Sequence, residues 1–160
     1  MTLYTIAVVV CVAYLLITCL VFDEIPKSIS ETYYLWAERK KGILFTLFMW
    51  TCSFCLFLPW LSVSRENTEW LVFLSITGMM FVGTASAFKE VLTRAVHYMS
   101  AGIWATSAVA WAIMHGAYIE IATSALLALI LYFHVRKSFT FFAELACVIM
   151  MMFSIATRLI

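Results

Sequence analysis

The chain alternates long apolar runs with short polar breaks, and the runs lack the polar face of a surface helix. A bilayer core of ~30 Å asks for about twenty apolar residues per helix. Six runs approach or meet that length: Leu3–Phe22, Ile43–Leu61, Trp70–Phe88, Val96–Met114, Ala117–Phe133 and Phe139–Thr157. The pattern predicts an all-α, polytopic integral membrane protein, one bundle of six transmembrane helices forming a single domain over residues 1–160. The joint at His115–Gly116 is short, which predicts antiparallel neighbours packed in sequence order. The first run is expected to remain as a span, because no basic leading segment or small-residue cleavage site accompanies it.

The stretch Lys89–Gly116 differs from the rest. His97, Ser100, Trp104, Ser107, Trp111 and His115 recur at steps of three or four, so they share one helix face. Ala101, Gly102, Ala105, Ala108 and Ala112 supply the small residues that let membrane helices approach closely. This helix is predicted to be central.

Composition reinforces the membrane reading. Hydrophobic residues make up 65% of the chain and the mean hydropathy is +1.02, well outside the soluble globular range. A net charge of +1, with no basic cluster interleaved with aromatics, argues against nucleic acid as a partner. Lys and Arg are unevenly placed. Lys27, Arg39, Lys40, Lys41, Lys89, Arg94, Arg136 and Lys137 fall in the first, third and fifth loops, against Arg65 and Arg158 on the other side. The positive-inside rule then puts the odd loops in the cytoplasm and both termini outside, in a plasma (bacterial inner) membrane. The five cysteines lie within apolar runs and read as packing residues. Cys52 and Cys55 form a C-x-x-C without a second pair or a nearby histidine, which supports neither zinc nor redox chemistry.

Two glutamates lie inside runs, where an ionised side chain costs at least ~2.5 kcal/mol without a partner. Glu120 is close enough to a surface to snorkel. Glu144 lies deeper, flanked by Ala143 and Ala146, and is expected to face the interior and meet His97, Lys89 or a hydroxyl. His97 and His115 are eighteen residues apart, about 27 Å at the helical rise, too far to share a metal. His134 is nearer the side of His97, so one bilayer depth gathers Ser30, Glu31, Lys89, His97, His134 and Glu144 as candidate ligand-binding residues. Two histidines and a glutamate suit a catalytic zinc; they equally suit a wet interface that attracts histidine. No H-E-x-x-H or G-x-S-x-G motif is present, so His97, Glu144 and Ser30 stand as catalytic candidates only, and no cofactor follows. Ser28 and Glu31 have the spacing of a capping box.

Two patches carry a family resemblance. Pro26-Lys27-Ser28-Ile29-Ser30-Glu31-Thr32 looks like the loop after span one in the six-span damage-regulated autophagy modulators and their relatives in GPI-anchor lipid remodelling. Ala87-Phe88-Lys89, ahead of His97, is similar to that family's aromatic-polar pair before a histidine that opens span four. The resemblance implies a lipid-handling membrane protein, and it implies the opposite face for the first loop. Taken together, these readings lead to a protein that binds or remodels a lipid headgroup at the cytoplasmic side, with membrane lipids as partners. A small homo-oligomeric transporter or channel, with a polar path along the fourth and sixth spans, is the alternative; an accessory or scaffold protein is a third.

Overall fold

The computed structural model describes residues 1–85, 90–135 and 138–160, with the backbone alone over 90–94. Seven α-helices account for most of it: α1 (Thr2–Phe22), α2 (Thr32–Glu38), α3 (Ile43–Ser62), α4 (Glu69–Thr84), α5 (Glu90–Met114), α6 (Tyr118–Val135) and α7 (Phe139–Leu159). A 3₁₀ turn, Glu66–Thr68, leads into α4, and the described residues contain no strand. Four helices, α1, α3, α6 and α7, are long and apolar enough to cross a membrane. The expected third run, Trp70–Phe88, ends in residues outside those described, and its described part forms α4. At 16 residues, α4 is about 24 Å long, below the ~30 Å of a bilayer core. With 25 residues α5 has ample length, but its histidine, serines and threonines dilute its apolar character.

Helix α3 packs on α1, α2 and α4, α4 lies along α5, and α7 contacts α5 and α3. The hydroxyl of Tyr4 on α1 donates to the carbonyl of Met152 on α7 at 2.8 Å, which closes these five long helices into a ring. The order around the bundle therefore departs from sequence order. Helix α6 packs mainly on α7 and touches α5 far less, even though only three residues join α5 to α6. The surface of α5 is already occupied by α4 and α7, whereas α6 leaves Leu126, Leu129, Ile130 and Phe133 exposed, an apolar face that suits lipid.

Close approach of backbones sets the core. A Cβ on Gly78 of α4 would lie 2.7 Å from the carbonyl oxygen of Ser100 and 2.9 Å from the amide nitrogen of Trp104 on α5. Backbone atoms cannot swing aside, so only glycine permits this contact. One turn below, Ser75 and Ser107 hydrogen-bond through their hydroxyls at 2.7 Å across the same interface.

The short α2 is pinned against α1 by side chains. Trp36 donates its indole N–H to Thr18 Oγ1 at 3.0 Å, and the hydroxyls of Tyr14 and Thr32 bond at 2.8 Å. Residues 23–31 are thereby held across one end of the ring.

At the opposite end, a polar cluster ties three chain segments together. Arg158 donates to Glu120 Oε1 at 3.1 Å and to the carbonyl of His115 at 2.7 Å, while Thr157 donates to the same carboxylate oxygen at 2.9 Å. His115 stacks on Trp111 at 4.2 Å and donates from Nδ1 to the Trp111 carbonyl at 2.9 Å. Its Nε2 is then the acceptor for the amide N–H of Arg65 at 3.3 Å. Glu120 is accordingly held in an ion pair inside the protein, where the sequence had suggested a side chain reaching for the interface.

Candidate functional site

The ring of α1, α3, α4, α5 and α7 surrounds a cavity of about 40 Å³. Most of its lining is apolar or sulfur-bearing, from Phe45, Phe48 and Val82 to Cys11, Cys52 and the methionines of α3, α4 and α7. Three polar residues join this lining: Ser30 from the loop after α1, His97 from the start of α5 and Glu144 from the start of α7. All three belong to the end covered by residues 23–31. Trp104 on α5 also lines the cavity, with its side chain buried.

The geometry around Glu144 follows from how the first loop folds. Pro26 is buried and restricts the chain as it leaves α1. Beyond it Ser28 accepts the amide N–H of Glu31 at 3.0 Å and bonds Ser30 through their hydroxyls at 3.0 Å. The Glu31 carboxylate returns to the amide and the ammonium of Lys27. Half of the expected capping box is thus present, with the return bond shifted by one residue. This compact turn buries the Ile29 side chain and aims its amide inward, where it donates to Glu144 Oε2 at 2.6 Å. The amide of Ser30 supports the same carboxylate. A carboxylate that accepts backbone N–H groups is in a favourable, charge-assisted arrangement.

Of the six candidate ligand-binding residues, the structure brings Ser30, His97 and Glu144 to one cavity. Glu31 faces outward to Lys27 instead, and His134 is exposed in the last turn of α6, away from the cavity lining. Lys89 lies outside the described residues. Glu144 does face the interior, but its bonded partner is the Ile29 amide in place of the side chains anticipated for it. Nothing in the sequence marks a particular backbone amide as a partner, so this contact was not legible there. The described residues contain no group of three or more His, Cys, Asp or Glu side chains placed to hold a metal ion. His97 and Glu144 therefore lack a third such ligand for zinc among the described residues.

The polar face read along α5 is divided in the structure. Ser107 is engaged by Ser75 in the α4–α5 interface, and His115 belongs to the cluster at the far end of the bundle. Trp104 belongs to that face as well. In the structure the residue is part of the cavity wall, and its buried indole N–H has no hydrogen-bond partner among the described residues. No known protein family, curated protein or solved structure matches the chain.

Proposed function

We propose that the chain is a six-span integral membrane protein that binds an amphiphile, a membrane lipid or a molecule like one, in the cavity between α1, α3, α4, α5 and α7. The observation that carries this reading is the distribution of polarity: Ser30, His97 and Glu144 sit at one end of a cavity whose other walls are apolar. Binding sites for small molecules combine an apolar lining with a few convergent polar groups that orient the ligand. A lipid headgroup is the group that would meet those residues from the bilayer surface.

In this reading α4 and α5 complete the six spans together with the four longer, more apolar helices, and α2 lies at the surface over the ligand's polar end. The Lys and Arg distribution places that end, with Lys27 and Arg39–Lys41, on the cytoplasmic side. Reporter fusions in the segment 38–42 and at both termini test the topology. A cytoplasmic signal from the loop and external signals from both termini are expected; the reverse pattern overturns the orientation.

The binding itself is tested by lipid retention. Protein purified in mild detergent is expected to carry lipid detectable by mass spectrometry. Ala101→Leu, which fills the cavity from α5, is expected to remove it without unfolding the bundle. Equal retention by the two proteins would sink the proposal.

A further inference from the structure

The turn that joins α2 to α3 departs from the residue its backbone favours. Helix α2 ends in a Schellman motif: the amide of Lys41 donates to the carbonyl of Trp36 and the amide of Lys40 to the carbonyl of Ala37, each at 2.8 Å. The motif places Lys40 in the left-handed region, with φ 59°. Glycine takes that conformation without steric cost, and a residue with a side chain does not. A lysine is therefore kept where the local backbone favours glycine. Close packing at the corner is met by a glycine two residues on, since a Cβ on Gly42 would lie 2.8 Å from the ring of Tyr33.

Lys40 is the middle of three consecutive cations, and their depth is fixed from two sides. Arg39 donates to the carbonyl of Val21, near the end of α1, at 3.3 Å, and its guanidinium lies 4.6 Å from the centre of the Phe22 ring. Lys41 stands two residues before α3, whose first residue, Ile43, is 61% exposed and shares the apolar outer surface of that helix with Leu44 and Leu47. The ends of two membrane-length helices thus hold Arg39, Lys40 and Lys41 at one surface, with all three exposed. Asp23, Glu24 and Glu38 lie on the same segment, yet none of them forms an ion pair with these cations. A cation at the end of α2 also favours its dipole. Arg39, at the C-cap, already supplies that charge without entering the left-handed region.

We propose that Arg39, Lys40 and Lys41 form a headgroup site for anionic phospholipids of the surrounding bilayer. Each juxtamembrane cation adds to the attraction for an anionic leaflet, and a lysine ammonium binds phosphate as a point charge. The site requires the membrane placement of α1 and α3 and no particular occupant of the cavity.

Native mass spectrometry of the protein in mild detergent, titrated in turn with phosphatidylglycerol and with phosphatidylcholine of the same acyl chains, tests the site. The parent is expected to retain phosphatidylglycerol in preference. Lys40→Gly and Lys41→Gln should each weaken phosphatidylglycerol binding about 5-fold and leave phosphatidylcholine binding unchanged. Lys40→Gly should at the same time raise the thermal midpoint of the lipid-free protein, because glycine relieves the left-handed position. These opposite signs separate a lysine kept for a ligand from one kept for the fold. Ala101→Leu, which fills the cavity, should leave the preference for phosphatidylglycerol intact; its loss in that variant would assign the lipid to the cavity and overturn the site. Equal retention of the two lipids by the parent, an unchanged phosphatidylglycerol affinity in both lysine variants, a lowered midpoint in Lys40→Gly, or displacement of phosphatidylglycerol by inorganic phosphate would each overturn it as well.

Discussion

Glu144 Oε2 accepts the amide N–H of Ile29 at 2.6 Å, a bond between residues 115 positions apart that fastens the loop after α1 to the start of α7. This bond sets the cover over the cavity, because Ile29 and Ser30 are both part of the wall. Glu144→Ala should orphan a buried amide at a cost of about 1–3 kcal/mol. The expected result is a lower thermal midpoint in detergent together with faster hydrogen exchange at Ile29. Glu144→Gln retains an acceptor oxygen and should lose less. A Gln variant as unstable as the Ala variant would mean that the negative charge, and not the accepted bond, holds the loop.

Gly78 makes a stringent demand on the fold. A methyl group there meets Ser100 and Trp104 backbone atoms at 2.7 and 2.9 Å, so Gly78→Ala must separate α4 from α5. Overpacking of this kind costs about 1–3 kcal/mol. Thermal unfolding should show the loss, and Trp104, carried on the displaced segment, should report a changed fluorescence environment. An alanine variant as stable as the parent would contradict the close contact.

His115, in the joint between α5 and α6, should titrate below the ordinary histidine value of 6.5. Burial disfavours its charged form most, and the cations of Arg65 and Arg158 add to this against the opposing bond to the Trp111 carbonyl. The sign for stability follows. The unfolded chain takes up the proton first, so the contribution of neutral His115 is complete above pH 6.5 and is lost as pH falls from 6.5 toward the folded value. Protonated Nε2 also ceases to accept the Arg65 amide. An imidazole NMR titration with a midpoint above 6.5 would refute this assignment.

The Glu120–Arg158 pair lies between an exposed and a fully buried ion pair, with side chains 11% and 21% exposed. Arg158→Met leaves Glu120 without its cation and the His115 carbonyl without a donor. A loss of about 1–3 kcal/mol is expected, between the values for surface and buried pairs. Glu120→Gln in the same background should recover part of it. Recovery would show as a raised thermal midpoint of the double variant; its absence would mean that the ion pair contributes little.

Much of this architecture was visible in the apolar runs, because a helix in lipid must satisfy its backbone internally and therefore announces itself by length. Helices α1, α3, α6 and α7 begin and end within two residues of the corresponding runs. Helix α4 covers the run as far as Thr84, and the end of the run, 86–88, lies outside the described residues. The meeting of Ser30, His97 and Glu144 was legible as a shared depth at one end of three helices. Their partners were not. Ile29 contributes through its amide, a group every residue carries, and the unpaired Trp104 indole emerges only from the packing of its neighbours. Likewise Glu120 and Arg158 are 38 residues apart, and no local periodicity connects them.

Photocrosslinking with a diazirine-bearing lipid tests the proposed site most directly, because it separates a lipid inside the ring from lipids around the bundle. Peptides containing Ala101, Val148 or Met152, all on the cavity wall, should carry the label, and Ala101→Leu should remove it while labelling of Leu126 and Ile130 on the outer face of α6 persists. Label confined to the outer face, with the cavity residues untouched in the parent protein, would contradict the account.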